Sequence, residues 1–283
     1  MSPPGRSADE HRNAQTKGTP VSVVSFKDVS KHFGDGASRK FAAEHLTLQI
    51  AKGELVAVVG KTGCGKSTMF NLLIGLIAPS SGSVEVLGKD PFRDFEALGG
   101  KLSVVFQNDR LMPWRTAIDN VAYGLELRKV PKPQRLATGH EWLRRLGLDM
   151  HADKWPHSLS GGMRQRVSIA RAFATDPEIL LCDEPFSALD ELTAATLRDE
   201  FRRLVRATHK TGIFITHSIT EAIEISERIL VFRAPGHVVA EYAVPAALQE
   251  FGEAGLKQRI LSAMDGAPQA RDAEGRGDAP MRG

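Results

Sequence analysis

The sequence predicts an α/β fold that opens with an antiparallel β region and carries an inserted helical segment. Three observations lead there. An apolar run at 55–59 passes through a glycine-rich turn into a helix-like run at 69–77. A second apolar run, Ile179-Leu180-Leu181-Cys182, ends in two acids, Asp183 and Glu184. Between them the apolar spacing becomes i, i+3, i+4 over 116–129, 134–146 and 161–173, the period of helices.

The elements follow in order. Val23, Val24, Phe26, Phe41 and the alternation Leu46-Thr47-Leu48-Gln49-Ile50 read as antiparallel strands. The run at 55–59 is a buried strand, and a further short strand is expected at 83–87, after the turn Pro79-Ser80-Ser81-Gly82. A strand at 102–106 precedes the helical segment, which spans about 108–174. Strands resume at 179–182, 213–216 and 229–232, with a helix at 192–208. Residues 1–20 and those from about 266 onward have too few apolar side chains to pack, so both are expected to be disordered tails. The expected folded unit is 21–245, followed by a C-terminal extension at 246–283. No internal repeat is visible.

Composition narrows the class. A chain of 283 residues at 42% hydrophobic can bury one large core or two smaller ones. The net charge of +3 is small and its basic residues are spread among acids, which gives no reason to expect nucleic acid as a partner. The longest apolar stretch, 69–78, is broken by Asn71 and Gly75 and falls short of the ~18 residues of a membrane span. The first residues lack the apolar h-region of a secretory signal. Cys64 and Cys182 are the two cysteines, too few for a disulfide framework, and a reducing cytosol is the expected compartment.

Gly60-Lys61-Thr62-Gly63-Cys64-Gly65-Lys66-Ser67-Thr68 has the spacing of a phosphate cradle, in the strand–loop–helix context such a loop needs. Its glycines let backbone N–H groups turn inward on a phosphate, and the following helix adds its positive end. Lys66 is placed to reach the β- and γ-phosphates, and the Ser67 hydroxyl to ligate Mg²⁺. Asp183 suits the same Mg²⁺ shell, while Glu184 can polarise an attacking water, both at the strand edge where open α/β sheets bind ligands. Cys64, beside Lys66 at a helix start, is expected to be a reactive thiol.

Together with Leu159-Ser160-Gly161-Gly162, trailed by Gln165 and Arg166, these motifs give the chain a resemblance to the ATP-binding cassette (ABC) family over nearly all of 21–245. The other family elements stand in the family's order: Gln107 after its strand, Ser187-Ala188-Leu189-Asp190 as the D-loop, and His217 after the strand at 213–216. The resemblance implies a P-loop NTPase with a RecA-like core and an inserted helical subdomain, using ATP and Mg²⁺. It implies that two cassettes pair head to tail, so that Ser160, Gly161 and Gly162 hold the γ-phosphate bound by the other copy. His217 is then expected to contact that phosphate and orient the water, and Gln107 to bind near Mg²⁺ and report nucleotide state. Phe33 resembles the aromatic residue that stacks on adenine, with Phe41 as a rival.

Three function classes remain for a cassette of this kind. Chromosome-maintenance and DNA-repair ATPases carry a long coiled coil between phosphate loop and signature, and the stretch between Thr68 and Ser160 is too short and lacks heptads. Ribosome-associated factors normally hold two cassettes. The energy subunit of a transporter fits best. The run Asn108-Asp109-Arg110-Leu111-Met112-Pro113-Trp114-Arg115-Thr116, then Asp119-Asn120-Val121, is similar to subunits that energise nitrate, sulfonate, taurine and bicarbonate importers. That similarity implies uptake of a small solute, anionic as in those importers, although the same tryptophan motif also occurs in importers of thiamine precursors and aromatic acids. Its implied partners are a second cassette copy, integral membrane permease subunits and, indirectly, an extracytoplasmic solute-binding protein, with the cassette peripheral on the cytoplasmic face of the membrane. Trp114 is expected on the permease-facing surface, the alternative being that it folds back onto the helical segment.

Overall fold

The computed structural model describes residues 21–266. The chain runs β1 (Ser22–Phe33), β2 (Lys40–Ala51), β3 (Leu55–Gly60), α1 (Lys66–Leu73), β4 (Ser81–Val86), β5 (Leu102–Val105), α2 (Ala117–Leu127), α3 (Lys132–Arg145) and α4 (Gly161–Ala174). It continues through β6 (Ile179–Asp183), α5 (Glu191–Ala207), β7 (Thr211–Thr216), α6 (Ile219–Ile225), β8 (Arg228–Arg233), β9 (His237–Ala243) and α7 (Val244–Asp265). The terminal segments expected to be disordered lie outside the described residues, apart from Gly266, which closes α7 with a left-handed φ of 77°.

Two sheets organise the molecule. A six-stranded sheet has the order β5-β6-β7-β3-β8-β9, parallel except for β9, which returns antiparallel to β8. A three-stranded antiparallel sheet has the order β2-β1-β4, with Phe26 facing Leu48 on one side and Val84 on the other. Because strand side chains alternate between faces, the parallel strands feed two cores. Val56, Val58, Leu181, Ile213 and Ile215 face α1 and the antiparallel sheet. Ala57, Val59, Leu180, Cys182 and Phe214 face the helices α4 to α7. Burial on both faces explains why these strands read as continuous apolar runs.

On the helical side, Phe186 stacks on Phe214, and Phe201 meets both edge-on. All three are fully buried, and truncating any one to alanine costs about 3–5 kcal/mol. Phe186 lies two residues past Glu184, so this cluster also anchors the turn that follows the paired acids. Helices α2, α3 and α4 pack on one another between β5 and β6. Residues 244–265 are not a loose extension: Leu256, Ile260 and Ala263 of α7 are buried in the main core.

Four helices begin on polar caps that the sequence carries locally. Thr116, Ser160, Asp190 and Ser218 each accept the N–H of the residue three further on. Each cap sits within or beside a stretch singled out in the sequence.

Candidate active site

The phosphate loop joins β3 to α1, and its glycines are required by close approach. Gly65 has φ 106°, and a Cβ there would come within 2.5 Å of both the Ala42 carbonyl oxygen and Gly236 Cα. At Gly60 a Cβ would lie 2.5 Å from Cys64 Sγ. The loop therefore wraps tightly, and Lys66 is buried within it. The Lys66 ammonium donates to the carbonyls of Gly60 at 2.6 Å and Lys61 at 3.1 Å.

The loop borders a cleft of about 220 Å³. Thr62, Gly63, Gly65, Lys66, Ser67 and Thr68 line one side. Asp183, Glu184, Ala42 and Ile215 complete it. Burial, reinforced by the neighbouring Glu184 charge, raises the Asp183 carboxyl above the usual range, while Arg110 and Lys66 pull it back. A carboxylate so placed favours a cation beside it. Glu184 donates its backbone N–H to the Ile215 carbonyl at 2.8 Å and has φ 47°, a left-handed conformation unusual for a side chain of this kind. Its Oε1 lies 3.0 Å from Nδ1 of His217. His217 does not cap α6, because Ser218 does.

The donor set fits a nucleoside triphosphate with Mg²⁺. The buried Lys66 ammonium, the hydroxyl residues Thr62, Ser67 and Thr68 and the start of α1 line the cleft together with the two carboxylates, Asp183 and Glu184. Among the described residues no group of three or more His, Cys, Asp or Glu side chains could hold a metal ion by itself.

The other expected site residues stand apart from this cleft. Gln107 is exposed, two residues past β5. Ser160 and Gly161 are exposed and Gly162 half-buried at the start of α4, and none of the three lines the cleft. Asp190 caps α5 by accepting the Thr193 N–H at 3.0 Å, which holds its carboxyl below the usual range. Phe33 is 51% exposed and Phe41 is exposed too, so neither is a core aromatic. Lys61 pairs with Asp265 at the end of α7. Cys64 corrects an expectation: it is only 4% exposed and packs in the core beneath the loop. Its backbone N–H is spent on the Lys61 carbonyl. The tight turn at Gly60 draws the sulfur inward, so the thiol is not presented to solvent.

The bracing parts played by several residues were not visible in the sequence, even where, as with Gln165 and Asn120, the residue lay within a quoted motif. Gly236, in the turn between β8 and β9, donates its N–H to the Cys64 carbonyl at 2.9 Å and braces the phosphate loop from outside. Arg164 and Arg171 of α4 strap the segment after Gln107. Arg164 pairs with Asp109 at 2.9 Å, and Arg171 donates to the carbonyls of Asp109 at 2.7 Å and Arg110 at 2.8 Å. Gln165 adds a bond to the Phe106 carbonyl at 3.2 Å. The buried Asn120 accepts the Met112 N–H at 2.8 Å and donates to the carbonyls of Met112, Arg115 and Thr116. With its loop pinned on both sides, Trp114 projects outward at 71% exposure, and it does not fold back onto the helices.

A model of the ABC transporter family matches residues 43–187. The taurine import ATP-binding protein of Escherichia coli is 42% identical over 201 residues, 71% of this chain and 77% of that protein. The bicarbonate transport ATP-binding protein of Synechococcus elongatus is 40% identical over 217 residues, 75% of this chain but only 32% of that longer protein. Among solved structures, a dimeric ATP-binding cassette in a post-hydrolysis state bound to ADP and Pi superposes with a TM-score of 0.70 at 33% identity. The match covers 78% of this chain and 98% of that one. The chain belongs to the ABC transporter family and is one of its ATP-binding, ATP-hydrolysing cassettes.

Proposed function

We propose that this cassette works in pairs around two ATP molecules and drives a separate membrane permease that takes up a small, anionic solute. The observation that carries the pairing is the position of the signature. Ser160, Gly161 and Gly162 stand at the positive end of α4, yet none of them lines the cleft of their own chain. A phosphate-binding helix start away from the chain's own phosphate loop has use only toward the ATP of a second copy.

Within each cleft, Lys66 and the N–H groups at the start of α1 hold the β- and γ-phosphates. Ser67, Asp183 and Gln107 are the residues that would hold Mg²⁺, which would supply positive charge to offset that of the phosphates. Glu184 polarises the water that attacks the γ-phosphate, and His217, held against Glu184, contacts that phosphate and orients the water. Phe33, or its rival Phe41, offers a ring face to adenine. Asp190 shapes the D-loop next to the signature: a Cβ on Gly162 would come within 2.9 Å of Thr193, in the first turn that Asp190 caps.

Two exposed apolar features support a permease partner. One is Trp114. The other is a groove of about 410 Å³ whose lining includes Leu73, Leu76, Phe95, Leu98, Leu102 and Phe106, with Leu76 and Phe95 open to solvent. A concave apolar surface of this kind fits a short amphipathic helix. No helix among the described residues is long and apolar enough to cross a membrane, which fits a subunit peripheral on the cytoplasmic face. The relatives named for taurine and bicarbonate import support a small solute that carries an ionised acid group.

The test of pairing is the mass in solution of Glu184→Gln with MgATP and with MgADP. A dimer with ATP and a monomer with ADP is expected. A monomer under both conditions overturns the pairing.

A further inference from the structure

Behind the cleft, α5 and α6 are joined through a buried charge. Arg198 of α5 is 3% exposed, although arginine is rarely buried unless paired. Three carboxylates meet it: Glu191 at 2.6 Å, Glu224 at 2.7 Å and Glu221 at 3.7 Å. Glu191 opens α5 directly after Asp190, and the other two lie on α6. Glu221 is itself buried, and its second oxygen accepts the Thr216 hydroxyl at 2.6 Å. The Thr216 oxygen in turn accepts the Ser218 N–H at 3.0 Å, and Ser218 Oγ accepts the Glu221 N–H at 3.3 Å. His217 lies between Thr216 and Ser218. Both of its chain neighbours therefore belong to one closed circuit anchored on Arg198.

We propose that Arg198 is a positioning residue for His217, acting through Glu221 and Thr216 to set the imidazole against Glu184. The His217 side chain is 59% exposed, so packing does not locate it. Its fixed reference is the backbone on either side, and this circuit fixes that backbone. Glu191 and Glu224 are largely open to solvent, so their pairs with the buried guanidinium add little net stability, which makes geometry the better account of the arrangement. The inference rests on the role proposed above for His217.

The experiment uses the full-length protein. Thr216→Val replaces the hydroxyl with a methyl group of similar size, Thr216→Ser keeps the hydroxyl, and Arg198→Lys keeps a charge that cannot reach three carboxylates at once. Thr216→Val and Arg198→Lys should lower kcat by roughly 10-fold or more, the effect of a small misplacement at a reacting centre. KM for MgATP should stay within about twofold, since Lys66 and the N–H groups at the start of α1 carry most of the ground-state binding. Thr216→Ser should turn over nearly as the parent does. Neither slow variant should slow His217→Ala further, because all act through one side chain. Thermal unfolding of each variant corrects the rates for the folded fraction. Unchanged kcat per folded molecule, or losses that multiply with that of His217→Ala, would overturn the proposal. A His217→Ala protein with normal turnover removes the role of His217 and this inference with it. A slow His217→Ala beside a normal Thr216→Val overturns only the link to Arg198.

Discussion

Nδ1 of His217 lies 3.0 Å from Oε1 of Glu184, and Glu184 reaches that position through a left-handed backbone, φ 47°. A non-glycine residue in that region costs of order 1–3 kcal/mol and persists only where its surroundings enforce it. Here the Ile215 carbonyl holds the Glu184 N–H, and buried Phe186 anchors the turn beyond. Glu184→Gln should therefore bind ATP normally and hydrolyse it at least ~10²-fold more slowly, the size of a general-base effect. Steady-state phosphate release together with nucleotide binding checks this. Near-normal turnover would remove Glu184 from the catalytic role.

Gly236 should prove a residue of the phosphate loop in all but sequence position. At its φ of 59°, a Cβ would lie 2.3 Å from the Ala42 carbonyl oxygen and 2.7 Å from Ala43 Cα. Gly236→Ala should destabilise the fold by about 1–3 kcal/mol through strain and weaken ATP binding through the loop it braces. Calorimetric unfolding and ATP titration measure the two effects separately. Loss of stability with unchanged ATP affinity would show that the brace is not felt at the cleft.

Thiol labelling tests how tightly the loop closes. Cys64 and Cys182 are both buried in the core, and burial raises the Cys182 thiol well above its ordinary value. In native buffer a maleimide should label almost none of the two cysteines, and in denaturant it should label both. Rapid native labelling of Cys64 would mean that the loop opens readily.

Trp114→Ala should separate hydrolysis from coupling. Nothing in the cleft depends on this indole, so basal ATPase activity of the isolated subunit should be preserved. Docking to the permease should weaken by about 2 kcal/mol, as for a buried aromatic anchor at an interface. Solute uptake by the reconstituted complex is the second readout. Equal loss of both activities would place the indole in the fold and not at the interface.

The pair His45–Asp28 gives a pH signature. The hydrogen bond to Asp28, then the Asp28 charge, raises the His45 pKa above its ordinary value. The folded protein thus holds this proton more tightly than the unfolded chain does. The resulting stability is complete below the unfolded pKa and is lost as pH rises through the folded one. Asp28→Asn should lower the melting temperature at about pH 5.5 and leave it unchanged near pH 8.5, on either side of the imidazole titration. Both side chains are exposed, so the effect is small in size. A loss of equal size at both pH values would assign the contact to something other than charge.

Where a structural feature is local in the chain, the sequence announces it. The turn at 60–68, the acids 183 and 184, and the caps Thr116, Ser160, Asp190 and Ser218 each act within a few residues, so spacing alone exposes them. Features built by distant approach are silent. The direction of Cys64 depends on Gly60 and the Phe232 backbone. The importance of Gly236 depends on Ala42, nearly the whole chain away. Strand β9 is half-exposed along most of its length and lacks a clean alternation. Gly252, with φ 65°, and Gly255 break the apolar period of α7. Arg198 looks like one more charge on an amphipathic helix until α6 folds across it.

The straps between α4 and the segment after Gln107 have a mechanical consequence. Arg164, Gln165 and Arg171 grip residues 106, 109 and 110 at intervals along the helix, and Arg110 is held at a left-handed φ of 46°. Gripped at several points, residues 106–110 and α4 are expected to move as one piece, so a displacement at the Gln107 end would carry residues 160–162 with it.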